Sequence, residues 1–278
     1  MLRSLIRYIL SFFPKISYYI RRARDLVDTN KPALKTKWGF SLAGHKEMAE
    51  GKFEEIETRL VLQLLPKFSC FVNVGANIGY YCAHALNLGV PTVAVEPSAR
   101  NLHYLLGNIK ENNWEDMVKI FPVALGSKPS VTTLWGSGTG ASLREGWAGI
   151  SSSHYNYVSV LTLDMLLASQ KDLTSTLVLI DVEGFEQEVL LGAVKTLERE
   201  VSPVWIIEIT TFENQPEGVM INPQFLTTFD IFFSRGYKAY KFIEGMPEFT
   251  QQEVKSAAIG EKSPGTYSFL FSKNKSHL

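Results

Sequence analysis

Phe71-Val72-Asn73-Val74-Gly75-Ala76-Asn77-Ile78-Gly79-Tyr80-Tyr81 is the stretch that decides how this chain folds. Four mostly apolar, β-favouring residues run into a loop with glycines at 75 and 79, and an apolar helical pattern follows. A strand that breaks at a Gly-rich turn and restarts as a helix brings backbone N–H groups close to a ligand at the positive helix end. About twenty residues further on, Thr92-Val93-Ala94-Val95 reads as a second short strand ending in Glu96 and Pro97. An acid at that offset is placed to accept hydrogen bonds from a ribose diol. The two features together read as a nucleoside-cofactor site.

The loop spells Gly-x-Asn-x-Gly, with Asn77 where a dinucleotide fingerprint carries its middle glycine. That fingerprint uses three glycines because a pyrophosphate lies against the helix start and the helix packs tightly on the strand. No basic side chain follows within the first helical turn here. The loop therefore suits a ligand tail without a diphosphate, such as the amino-acid end of S-adenosylmethionine. NAD-dependent oxidation of a sugar is disfavoured by the missing third glycine. No Gly-Lys-Ser/Thr occurs, which excludes a Walker-type phosphate loop.

Working outward, 278 residues suit one large α/β domain with an extension, or two small domains. The 45% hydrophobic and 20% charged content is that of a globular chain with a substantial core. Zero net charge gives no argument for a nucleic-acid partner. The charge is uneven, however: residues 1–40 hold nine Lys/Arg against Asp25 and Asp28, a local excess of +7. Within them Leu2, Leu5, Ile6, Ile9, Leu10, Phe13, Ile16 and Ile20 repeat at helical spacing between Arg3, Arg7 and Lys15. This is a basic amphipathic pattern, with Pro14 as a bend, and its apolar run is too short to span a bilayer. Its two readings are a helix packed on the domain or an oligomer, and an interfacial helix, residues 1–24, on an anionic membrane surface. No small-residue cleavage site follows, as a signal peptide would require. Cys70 and Cys82 are the only cysteines and read as buried thiols in a reducing compartment. The expected location is cytoplasmic, with a peripheral contact to the inner membrane face.

From Gly51 onward strand and helix patterns alternate, which implies a parallel sheet covered on both faces. The expected helices are 53–65, 78–88, 98–112, 164–169, 185–198 and 223–235. The expected strands are 70–75, 92–96, 118–123, 130–135, 157–162, 177–180, 204–207, 237–243 and 267–272. Residues 126–160 break the rhythm and are rich in Gly and Ser, as substrate-facing loops on an α/β scaffold often are. Asp164 is expected to cap the helix it begins. Leu177-Val178-Leu179-Ile180, wholly apolar, suits a central parallel strand and ends in Asp181-Val182-Glu183-Gly184. Glu96, Asp181 and Glu208 each close a parallel strand at the edge where open α/β sheets bind ligands. An alcohol is a poor nucleophile while protonated, so a base beside it would help. Asp181, Glu183 and Glu208 are the catalytic candidates in that order, with His154 an outside one. Each acid has a structural counterpart: Asp181 as cofactor-amine ligand or helix cap, Glu183 as a loop holder, Glu208 as a backbone-bonded acid. Trp135, Trp147, Tyr155 and Tyr157 are candidates to stack on a sugar ring, and equally to be packing residues.

In order along the chain come Phe71–Tyr81, Val95-Glu96-Pro97, Val123-Ala124-Leu125-Gly126, Gly140-Ala141-Ser142-Leu143, Leu161-Thr162-Leu163-Asp164 and Ile180-Asp181-Val182-Glu183-Gly184-Phe185-Glu186. This series resembles that of the FkbM-type methyltransferases, a branch of the class I S-adenosylmethionine-dependent enzymes, over roughly residues 52–272. The resemblance implies a Rossmann-like α/β fold: a mostly parallel seven-stranded sheet with an antiparallel last strand, formed here by 267–272. It divides the chain into a basic helical extension, 1–50, and a methyltransferase domain, 51–278. It also implies O-methylation of a hydroxyl on a sugar, glycan or natural-product acceptor. The cofactor-binding candidates are then Asn73, Gly75, Asn77, Gly79, Glu96, Ala124 and Asp181. Two positions depart from the family pattern, which usually has an acid at Asn73 and commonly a Lys at Leu179. These departures motivate a second reading, a catalytically silent cofactor-binding scaffold in a glycan-assembly complex. A metal is not expected, because Glu208-Ile209-Thr210 stands where a metal-assisted site would end its strand in an Asp-Asn pair.

Overall fold

The computed structural model describes residues 32–168 and 175–274. The amphipathic pattern of residues 1–24 lies outside them. A small hairpin, β1 (Leu34–Lys35) and β2 (Ser41–Leu42), precedes α1 (Lys46–Glu50) and α2 (Glu55–Leu64). The central strands are β3 (Cys70–Val74), β4 (Thr92–Val95), β5 (Val118–Phe121), β9 (Thr176–Ile180), β10 (Val204–Glu208), β11 (Lys238–Lys241) and β12 (Ser268–Ser272). They form one sheet in the order β11-β12-β10-β9-β3-β4-β5. β12 runs antiparallel to both its neighbours, β10 and β11, and the other pairings are parallel. This is the fold the resemblance implied.

The residues explain the layers. Side chains alternate across a strand, so β9 sends Val178 and Ile180 to one face and Leu177 and Leu179 to the other, all buried. The first face packs on α5 (Leu163–Leu167), α6 (Glu186–Leu191), α7 (Val194–Leu197), α8 (Phe225–Phe233) and α9 (Gln251–Ala258). The second packs Leu177 and Leu179 with Leu60, Val61 and Leu64 of α2. Beside them, α3 (Tyr80–Asn87) and α4 (Ala99–Glu111) follow β3 and β4. Phe40, Leu42, Met48 and Ala49 of the first described residues join Ile78, Tyr80, Ala83 and Tyr104 in another cluster, so residues 40–49 are packed onto the body.

The break at 126–160 builds its own sheet from β6 (Ala124–Leu125), β7 (Ser130–Trp135) and β8 (Tyr155–Leu161). β7 and β8 pair antiparallel, with Trp135 opposite Tyr155 and Thr133 opposite Tyr157.

Two expectations are corrected. The helix expected over 185–198 is two helices, α6 and α7, separated at Gly192-Ala193. Gly192 lies so close to the backbone carbonyl of Gly126 that a Cβ there would overlap it. Asp164 does not cap its own helix, because Thr162 does so by accepting from the Met165 N–H at 3.1 Å. Asp164 instead caps α7, accepting from the N–H groups of Lys195 and Thr196, both at 2.9 Å, and from the Thr196 hydroxyl at 2.7 Å.

Candidate functional site

Strand order reverses beside β3: β4 and β5 lie on one side, β9 and β10 on the other. Such a switch point leaves a crevice beyond the carboxyl ends of the strands. The register brings these ends level, with Val74 opposite both Val95 and Ile180. The loop after β3 is stitched to its neighbours, the Gly75 and Ala76 N–H groups donating to Val95 O at 2.9 Å. Asp181 N–H donates to Val74 O at 3.0 Å. Gly75, at φ +83°, passes so close to the Asp181 carbonyl that no side chain fits.

A cleft of about 530 Å³, partly open to solvent, lies over this junction. Gly75, Asn77, Glu96, Asn101, Ala124 and Asp181 are among its lining residues, with Leu134, Thr139 and Leu143 from the 126–160 insertion. Glu96 is buried, and burial pushes its carboxyl up to about 7. Its Oε1 accepts from Ser98 N–H at 2.8 Å and Asn101 Nδ2 at 3.2 Å, and its Oε2 accepts from Asn77 N–H at 2.8 Å. Oε2 thus keeps acceptor capacity for a ligand hydroxyl.

Asn101 was not foreseen from the sequence, where it appeared only as a polar residue of the helix 98–112. Its Nδ2 donates to two acceptors, Glu96 Oε1 and Gly138 O at 3.0 Å, which fixes the amide orientation. Its Oδ1 is then buried without a hydrogen-bond partner. Asn101 thus lines the cleft and ties Glu96 to the Gly138 turn of the insertion.

A second cleft of about 320 Å³ adjoins the first, and Asp181 lines both. Glu54, Glu57, Tyr81 and Glu208 also line it. Glu54 sits at φ +41° just ahead of α2 and accepts from the Tyr81 hydroxyl at 2.7 Å. Burial pushes Glu54 up to about 7, and raises Asp181 and Glu208 well above the usual carboxylate range, with neighbouring acids adding to the shift. Glu54 was also missed, because in sequence it is one more acid in the expected helix 53–65. Only packing of α2 against α3 carries it to the sheet edge.

The remaining expected residues are distributed as follows. Asn73 is buried beneath the cleft, where its Nδ2 points to Cys82 Sγ at 3.5 Å, and it does not line the pocket. Gly79 packs under Leu105, 2.5 Å from where a Cβ would stand. Glu183, at φ +54°, lines the first cleft and accepts from the indole N–H of Trp147 at 2.7 Å. Trp147 is itself buried, against Gly184, so it is a packing residue. Trp135, Tyr155 and Tyr157 make ring contacts along the β7–β8 hairpin, outside the clefts. His154 lies in that hairpin and lines neither. Both cysteines are free. Among the described residues no group of three or more His, Cys, Asp or Glu converges to hold a metal ion, and no helix is long and apolar enough to cross a membrane.

A mostly parallel α/β sheet with a Gly-rich first loop, a buried acid just after β4 and a crevice at its switch point defines a protein of Rossmann-like class. A family model described as "Methyltransferase FkbM domain" matches residues 73–239, and the chain belongs to that family. Membership carries S-adenosylmethionine as the cofactor. No match occurs among curated proteins. Among solved structures, the chain is similar to the methyltransferase FkbM from Methylobacillus flagellatus KT at 16% identity and a TM-score of 0.44, with 74% of this chain covered. It spans 44% of that protein's length. It is also similar to an O-methyltransferase from Bacillus cereus solved with SAH, at 12% identity and a TM-score of 0.44, with 77% of this chain and 78% of that one covered. A precorrin-6y C5,15-methyltransferase from Geobacter metallireducens GS-15 gives 12% identity and a TM-score of 0.43, with 80% and 88% covered. At these scores the fold rests on the strand order itself.

Proposed function

We propose that the chain is an S-adenosylmethionine-dependent O-methyltransferase acting on a hydroxyl of a sugar, glycan or natural-product acceptor. The observation that carries this reading is Asp181, the wall shared by the cleft at the strand switch point and a second, acid-lined cleft. The residues fit the cofactor: Glu96 Oε2 offers an acceptor for a ribose hydroxyl, and Gly75, Asn77 and Asn101 line the same cleft. When bound there, the cofactor would supply an electrophilic sulfonium methyl with a neutral thioether as the leaving group. The chain's own residues hold the acceptor oxygen in line and receive its proton. Positioning of this kind supplies up to ~7–11 kcal/mol in favourable systems.

Of the three base candidates, Glu183 is engaged by Trp147, while the carboxylates of Asp181 and Glu208 accept no hydrogen bond among the described residues and line the second cleft. Asp181 and Glu208 therefore carry the proton-accepting role in this proposal. The peripheral membrane contact of residues 1–24 rests on their basic amphipathic pattern, and sedimentation of the full chain and a 1–30 deletion with anionic liposomes tests it.

The decisive experiment is calorimetric titration with S-adenosylmethionine and with NAD, followed by an acceptor screen. Micromolar binding of the former alone, then methyl transfer to a hydroxylated acceptor, is expected. Cofactor binding with no transfer to any acceptor would favour the silent scaffold.

A further inference from the structure

The 126–160 insertion supplies part of the wall of the first cleft, through Leu134, Gly138, Thr139, Ala141 and Leu143. Residues 137–150 form a strap on that wall, bracketed by Gly136 at φ +79° and Gly149 at φ +68°. Both lie in the left-handed region that glycine enters freely, and such positions absorb the backbone rotation of a moving loop.

One turn of the body holds the strap at two points. The Glu183 carboxylate accepts from the Trp147 indole N–H at 2.7 Å, and the Glu183 carbonyl accepts from the Ser142 hydroxyl at 2.6 Å. Ser142 Oγ in turn accepts from Arg144 N–H at 2.9 Å, which ties the two anchors together. Ser142 and Trp147 are both buried. Trp147 nonetheless joins none of the apolar clusters among the described residues. Its ring lies on Gly184, where a Cβ would overlap it. A large aromatic buried outside the core is placed by its fit to this turn and by its indole N–H. Glu183 itself stands at φ +54°, a costly backbone for a residue with a side chain, which persists only where the surroundings fix it. Two further bonds steady the strap: Asn101 Nδ2 to Gly138 O at 3.0 Å, and Ala148 N–H to Asn214 O at 2.8 Å.

We infer that Glu183 is a positioning residue whose pairing with Trp147 latches the 137–150 strap against the cofactor cleft and sets how fast the cofactor leaves. A base must be free to take a proton, whereas this carboxylate is engaged by the indole. The inference rests on the cofactor that the family carries and is independent of the acceptor chemistry proposed above.

The test uses the full chain with S-adenosylhomocysteine, whose release is timed by stopped-flow displacement. Opening of the strap is read by mass spectrometry as the rate of tryptic cutting after Arg144, which lies between the two anchors. Trp147 does not line the cleft, so Trp147→Phe, which keeps a ring and removes the N–H, reaches the cofactor only through the strap. Trp147→Phe and Glu183→Ala should each speed both release and cutting about fivefold, the scale of one net hydrogen bond. The double variant should be no faster than the faster single one. Glu183→Gln keeps an acceptor oxygen for the indole and should recover most of the original release rate. If either single variant lowers the thermal transition, Ser142→Ala, which removes the other anchor, carries the same expectation in its place. Unchanged release in these variants overturns the inference, as do effects that multiply in the double variant, or a Glu183→Gln as fast as Glu183→Ala. Faster cutting without faster release overturns it too. Failure of the unaltered chain to bind S-adenosylhomocysteine would overturn the cofactor reading and this inference together, whereas normal binding with unchanged release in the variants overturns this inference alone.

Discussion

Glu96 shows how one side chain serves both fold and ligand. It ties the Gly75–Gly79 loop to the start of α4 through Asn77 and Ser98, and it lines the first cleft. Glu96→Ala is expected to weaken S-adenosylmethionine binding by about 1–3 kcal/mol, the scale for losing hydrogen bonds to a charged group. Unchanged calorimetric affinity would remove Glu96 from the site. Gly75 sets a sharper steric condition, because a Cβ there would overlap the Asp181 carbonyl. Gly75→Ala should destabilise the protein by more than the ~1–2 kcal/mol of left-handed strain alone. Gly89→Ala, at φ +78° with open space around it, provides the control and should show only that strain in denaturant titration. Equal losses for the two would mean that β9 yields easily.

At the scale of elements, hydrophobic periodicity located the central strands and the helices beside them to within two residues at each end. It failed where a backbone contact decided. No periodic signal marks Gly192 as a break, since the cause is the distant Gly126 carbonyl. The cap on α7 came from Asp164, thirty-one residues before Lys195, and a long-range cap has no local signature. Asp164→Ala should cost about 1 kcal/mol by exposing the α7 amides, within the usual range for a lost cap. A thermal transition unchanged by that substitution would mean α7 is held by packing alone. One element had a readable signal that was passed over. Thr250 and Glu253 form a capping box at the start of α9, and Thr-x-x-Glu is visible in the sequence.

For the whole molecule, the acids at the sheet edge tie stability to pH. Burial raises Glu54, Glu96 and Glu186 from 4.5 to about 7, and raises Asp181 and Glu208 as well. The folded protein thus holds protons that the unfolded chain has already released. Their contribution is fully present below about pH 4.5 and is lost as pH rises through about 7. The Tm of the ligand-free protein should fall between pH 5 and pH 8, and Glu54→Gln should flatten that slope. A Tm that climbs over the interval would contradict this. The sequence by itself determined the α/β class, the glycine loop and the acids that end β4, β9 and β10, because strand periodicity and turn chemistry are local properties. Only the tertiary structure decided that Asn73 lies beneath the cleft, that Asn101 lines it, and that Glu54 shares a second cleft with Asp181 and Glu208. Those relations depend on packing between elements far apart in the chain, and no local pattern of residues encodes them.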